Sequence, residues 1–196
     1  MKILLIANPR TGSTYLGKWL SKKYKLPYIH EPVFVDALIE SLDTYESFCM
    51  KVVTGQFYYY NQDNEKLSDD DCIDYFYNLI SKYKFDKMLV LDRRNEKEHI
   101  EAIINLDRNR TNKLESHEWV YNDGFKKSIT EDEWNRWKTY ALESKKWLTK
   151  ISNKFNIPIV YYEDVYYDSD NVDLQGLEFK PDLSKKYRKN SSNTII

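Results

Sequence analysis

An apolar run that begins almost at the first residue constrains the fold of this chain more than any other feature. Ile3-Leu4-Leu5-Ile6-Ala7 is short, aliphatic and free of polar alternation, and it stops at Asn8-Pro9. It therefore reads as a buried central strand. Arg10-Thr11-Gly12-Ser13-Thr14 follows as a loop of mostly small residues. From about Ser13 the pattern turns helical, with Leu16, Trp19 and Leu20 on one face and Lys18, Ser21 and Lys22 opposite. A strand, a tight turn and a helix start bring free backbone N–H groups and the positive end of a helix dipole to one place. Gly12 lets the backbone approach a ligand closely, Ser13 and Thr14 add hydroxyls, and Arg10 adds a planar cationic fork. Such a corner binds phosphate. It is not the common nucleotide loop G-x-x-x-x-G-K-[ST], because it holds one glycine and its cation comes first.

The remaining strands and helices follow the same logic. Pro27-Tyr28-Ile29 reads as a short strand, Phe48 to Thr54 and Lys87 to Leu91 as core strands, and Ile157 to Tyr162 as a further one. Between them lie helical patterns. One opens at Pro32, one is capped by Ser68 with Asp69-Asp70-Asp71 in its first turn, one runs from Glu96 to Leu106, and a long one runs from Thr130 to about Lys154. The aspartates are better explained by capping than by a metal, and His30, His99 and His117 show no metal-ligand spacing. Alternating strands and helices over 196 residues predict a single α/β domain, 1–196, with a mostly parallel central sheet flanked by helices.

Composition narrows the function classes. A net charge of −1 argues against binding nucleic acid through a basic surface. No apolar run is long enough to span a bilayer. A strand starting at the third residue leaves no room for a signal peptide, so a cytoplasmic protein is expected. Two distant cysteines, Cys49 and Cys72, make no disulfide framework. Residues 107–130 are polar and aperiodic, as a lid or acceptor loop would be, with His117 and Trp119 as candidate contacts. The aromatic run at Tyr58-Tyr59-Tyr60 reads as amphipathic packing by default.

A second strand-turn-helix corner carries Arg93-Arg94-Asn95. The helix dipole disfavours cations at a helix start unless an anion is there too. Two arginine-bearing corners at one end of a parallel sheet suit a ligand with two anionic ends.

Pro9-Arg10-Thr11-Gly12-Ser13-Thr14 resembles, at every position, the 5′-phosphosulfate loop P-[KR]-[ST]-G-[ST]-[ST] of the sulfotransferases. Three further stretches resemble that family in the same order. Arg93-Arg94-Asn95 is similar to its 3′-phosphate corner. Tyr161-Tyr162-Glu163-Asp164-Val165 is similar to a late strand end of the form YEDL. Arg188-Lys189-Asn190, in the basic stretch 180–196, is similar to a closing Arg-Lys-Gly loop, with asparagine for glycine. The sequence departs from the family about two helical turns past Arg94, where Ala102 replaces a phosphate-binding serine and His99 or Asn105 is left to substitute.

The resemblance implies a three-layer, P-loop-NTPase-like sulfotransferase fold. It also implies sulfuryl transfer from 3′-phosphoadenosine 5′-phosphosulfate to an acceptor hydroxyl on a sugar, lipid, phenol or peptide, with no metal. Residues 10 to 14 would hold the 5′ end, Tyr15 would pack on the adenine, and Arg93, Arg94, Arg188, Lys189 and Asn190 would hold the 3′ end. In members with arginine in the loop, such as the tyrosylprotein and bacterial glycolipid types, a glutamate placed like Glu31 serves as catalytic base. By its residues alone Glu31 is equally a carboxylate beside a helix start, and His30 is the ordinary alternative base. A small-molecule kinase and a non-catalytic module binding adenosine bisphosphate stay open beside the transferase.

Overall fold

The N-terminal apolar run forms β1 (Lys2–Ala7), in which Ile3 to Ala7 are fully buried. A strand buried on both sides needs a neighbouring strand along each edge and helices over each face. The computed structural model, which describes residues 1–32, 35–55, 68–111, 129–167 and 172–179, has that arrangement. The other strands are β2 (Tyr28–His30), β3 (Phe48–Val53), β4 (Lys87–Asp92) and β5 (Ile159–Tyr161). They form a five-stranded sheet in the order β2-β3-β1-β4-β5, and every pairing is parallel. Ile3 lies opposite Cys49 on one side and Lys87 on the other.

The helices are α1 (Ser13–Tyr24), α2 (Val35–Thr44), α3 (Asp69–Ser81), α4 (Glu96–Thr111), α5 (Glu131–Phe155) and α6 (Tyr162–Tyr167). Side chains of β1 alternate between two cores, as the period of a strand requires. Leu4 and Ile6 pack with Leu38 of α2, Phe76 of α3 and Trp147 of α5. Ile3, Leu5 and Ala7 pack with Leu16 and Leu20 of α1 and Val165 and Tyr166 of α6. Ile100, Ile103 and Ile104 of α4 pack against α5 in a smaller cluster edged by Trp134 and Trp137. No helix among the described residues is long and apolar enough to cross a membrane.

Ser68 and Asp71 make a reciprocal capping box at the start of α3. Asp70 and Asp74 pair with Lys150 and Lys154 of α5, so two of the acids on α3 join it to its neighbour helix. Several boundaries differ from the sequence reading. The last strand starts at Ile159, because the Ile157 N–H closes the end of α5 on Ser152 O and Pro158 has no N–H to offer a ladder. It ends at Tyr161, because Glu163 and Asp164 stand in the first turn of α6, where acids favour a helix. Helix α4 continues past Leu106 to Thr111. Pro32 stays outside α2. The Tyr58–Tyr60 run, His117, Trp119, Arg188, Lys189 and Asn190 lie outside the described residues.

Candidate functional site

The bend between β1 and α1 is shaped by two left-handed residues, Arg10 (φ 64°) and Gly12 (φ 73°). Thr11 is fully buried and its Oγ1 donates to Asn8 O at 2.8 Å, which ties the bend down from inside. The Gly12 carbonyl accepts from Tyr15 N, from Leu16 N and from the Tyr166 hydroxyl at 2.7 Å. The Tyr166 ring lies so close that a Cβ on Gly12 would come within 2.6 Å of it. Glycine is therefore required twice over, for its backbone conformation and for the ring above it. It also leaves α1 without a side-chain cap. By contrast α3 is capped by Ser68, α5 by Thr130 and α4 by Asn95, whose Oδ1 accepts from Glu98 N. The first-turn amides of α1 are thus presented to whatever sits over Gly12.

Glu31 stands beside this bend, just past the end of β2, also in a left-handed conformation (φ 49°). The other left-handed non-glycine residues are ordinary: Lys25 and Asn156 end helices, and Gln175 is in a turn. Arg10 likewise lies in the turn that follows β1, whereas Glu31, just past a strand, has no such reason. Backbone held in a sparsely populated region is characteristic of functional sites. Glu31 N donates to Lys51 O, and the Lys51 ammonium pairs with the Glu31 carboxylate. The same ammonium donates to Thr14 Oγ1 at 2.7 Å. His30 Nε2 lies 3.5 Å from Glu31 Oε1, with the imidazole half exposed. Burial pushes the Lys51 pKa below the ordinary lysine value, the Arg10 charge adds to that push, and Glu31 opposes it. Cys49, two residues earlier on β3, is buried and its thiol is pushed up to about 12 by burial, so it is a packing group rather than a nucleophile.

The β4–α4 bend adjoins the first one. Asn8 N donates to Leu91 O at 3.1 Å, and Asn8 Nδ2 donates to Asp92 Oδ1 at 2.8 Å in a fully buried contact. His99 of α4 donates Nε2–H to Pro9 O at 2.7 Å. That bond commits His99 to joining the two bends, and Asn105 is exposed on α4. The cations at this corner have internal partners. Arg94 grips Asp164 with both terminal nitrogens at 2.9 Å and stacks on Tyr161. Arg93 lies over the Tyr162 ring and points its terminal nitrogens at Glu98. The backbone N–H groups of Arg94 and Asn95 each donate to the Glu163 carboxylate at 3.0 Å. An anion does sit at this helix start, and it is the chain's own.

Burial of His99 pushes its imidazole below the usual histidine pKa. In the unfolded chain the ring binds a proton near pH 6.5, whereas in the folded chain it does so only at lower pH. Stability from His99 is therefore full above about pH 6.5 and falls on acidification, by up to about 1.4 kcal/mol per pH unit between the two values. Urea unfolding at pH 7.5 and 5.5 is expected to show a larger acid loss for the native chain than for His99→Gln. Equal losses would mean that His99 does not resist protonation.

The structure brings Arg10, Gly12, Thr14, Glu31 and His30 to one mouth, with Thr11 and Ser13 of the same bend buried and Arg93 and Arg94 at the adjoining bend. Tyr15 turns its ring toward Tyr166 and Phe179, with centroids 6.1 and 6.3 Å away. Beyond the end of β3 a small cleft of about 30 Å³, room for little more than a water molecule, is lined by Thr54, Gly55, Tyr140, Glu143, Ser144 and Trp147. Thr54 Oγ1 donates to Asn8 Oδ1 at 3.0 Å, so this cleft borders the same loop. Lys51, Asn8, Asp92 and Tyr166 were not singled out by sequence. Only Lys51 left a readable signal, as a lone charge inside the apolar run FCMKVV. No family model, curated protein or solved structure matches this chain.

Proposed function

We propose that this chain is a sulfotransferase that moves a sulfuryl group from 3′-phosphoadenosine 5′-phosphosulfate to an acceptor hydroxyl. The observation that carries the reading is the β1–α1 bend. An uncapped helix start preceded by Arg10 stands next to Glu31, whose backbone is left-handed outside any turn or helix end. Together with the resemblance of residues 9–14 to the 5′-phosphosulfate loop, this supports a donor bound by its 5′ end. The sheet also carries β1 between β3 and β4, an order compatible with a P-loop-like domain.

The residues fit the two ends of the donor unequally. At the 5′ end, first-turn amides, Thr14 and Arg10 suit a phosphosulfate. At the 3′ end the amides of Arg94 and Asn95 are already filled by Glu163, so a phosphate there has to displace a carboxylate or rest on Arg93.

In this mechanism Glu31 takes the proton of the attacking hydroxyl as the new S–O bond forms. Arg10 and the loop amides neutralise the charge left on the departing phosphate oxygen as the old S–O bond breaks. A second reading, a small-molecule phosphotransferase using a nucleoside triphosphate, gains from the filled second bend, because such a donor has no 3′-phosphate to place.

Calorimetry with adenosine 3′,5′-bisphosphate, ATP with magnesium, and GTP separates the readings. Preference for the bisphosphate supports the transferase, and magnesium-dependent ATP binding with no bisphosphate binding removes it. Glu31→Gln is expected to keep bisphosphate affinity within about threefold and to lower turnover by about 10²–10⁴-fold. An unchanged rate would take the base away from Glu31 and leave His30 as the candidate.

A further inference from the structure

Lys51 is the one charged residue of β3, whose six residues are all buried, and its side chain is only 6% exposed. A buried ammonium is expensive to desolvate, and an apolar side chain of similar length would fill the space without that cost. Neutralising Glu31 is a weak reason to keep it. The Glu31 side chain is 26% exposed, so water reaches that carboxylate. The direction of the lysine is more informative than its burial. It leaves the middle of β3, opposite Leu5 of β1 and His30 of β2, and ends against Thr14 in the first turn of α1. An ammonium has three N–H donors. Thr14 Oγ1 and Glu31 Oε1 are its partners among the described residues. The loop it reaches has arginine but no lysine of its own.

We propose that Lys51 is an anion-binding residue of the β1–α1 bend: from the neighbouring strand it supplies the ammonium that the loop lacks, and it holds the phosphate or phosphosulfate of a ligand at the first turn of α1, beside Arg10. The ligand class is a phosphate ester or anhydride. This deepens the reading given above and rests on it for the adenosine portion of the ligand, but not for the anion. Lys51 then has two tasks in one position. It binds the anionic group, and through Glu31 it keeps the proposed base within reach of the same group. The lowered pKa of Lys51 fits a cation whose site is incomplete without an incoming negative charge.

The test is calorimetric titration of the full chain with inorganic pyrophosphate, with adenosine 3′,5′-bisphosphate and with adenosine. The variants are Lys51→Met, Glu31→Gln and the two combined. Lys51→Met is expected to weaken both phosphate ligands about 10- to 100-fold, as loss of a charge-assisted hydrogen bond does. The combined variant separates binding from mere neutralisation. If Lys51 touches the anion, the combined variant stays as weak as Lys51→Met. If Lys51 serves only to balance Glu31, removing both charges restores native affinity, and the proposal falls. Native-like affinity of Lys51→Met also overturns it.

The proposal and the donor reading fail differently. Lys51-dependent binding of pyrophosphate without bisphosphate binding keeps Lys51 and removes the donor. A native chain that binds neither phosphate ligand ends both. Should Lys51→Met fail to fold, the pair Glu31→Gln with Lys51→Gln, a neutral hydrogen-bonding couple, makes the same comparison.

Discussion

Arg10→Ala is expected to lower sulfuryl transfer by about 10²–10³-fold while the folded chain keeps its thermal midpoint within a few degrees. Arg10 stands at the mouth of the β1–α1 bend, ahead of the uncapped amides of α1, where negative charge would grow on a leaving phosphate oxygen. A guanidinium that is already in place stabilises that charge without reorganising, which is why such groups contribute several powers of ten. Alanine is the informative replacement because it inherits the left-handed backbone at φ 64° under the same strain as arginine. Glycine would relax the loop and confound the result. Arg10→Lys keeps the charge but loses the planar fork, and an intermediate rate is expected. Turnover of the donor with a panel of phenol, sugar and peptide hydroxyls is the measurement. Transfer at the native rate by Arg10→Ala would refute the assignment of the loop.

Gly12→Ala is expected to destabilise the fold by about 2–4 kcal/mol, from overpacking and from a side chain at positive φ. The added Cβ meets the edge of the Tyr166 ring at 2.6 Å. That ring is buried and hemmed in by Tyr15, Tyr162 and Phe179. Tyr166→Phe loses only the hydroxyl bond to Gly12 O, about 1 kcal/mol, and leaves the ring in the way. Tyr166→Ala removes the ring. In urea unfolding, Gly12→Ala and Tyr166→Ala should therefore combine to less than the sum of their separate costs. Strict additivity would mean that the ring does not press on the loop.

The same neighbourhood explains what sequence alone revealed and what it did not. The central strand was legible because five consecutive buried residues leave no other use for Ile3 to Ala7. The bend was legible because Pro9, Gly12 and the three hydroxyl residues around them are local signals that act over a few positions. Capping at Ser68 is equally local. The partners of Arg94 were not legible. The dipole argument demanded an anion at that helix start, but Glu163 and Asp164 lie 69 and 70 residues along the chain. Nothing in the periodicity of either segment says that they meet. Lys51 belongs to the same class. Its charge was visible inside FCMKVV, yet its meaning depends on the distance to Thr14, which only the sheet order supplies.

Tyr166 is separated from Gly12 by 154 residues, and still its hydroxyl and ring complete the shape of the turn after β1. A ribosome therefore releases the first loop of this protein long before it makes the residue that moulds it. Until the segment around Tyr166 emerges and docks, the nascent chain holds an unfinished turn, so the shape of this first loop is completed late in synthesis although its own residues are among the earliest made.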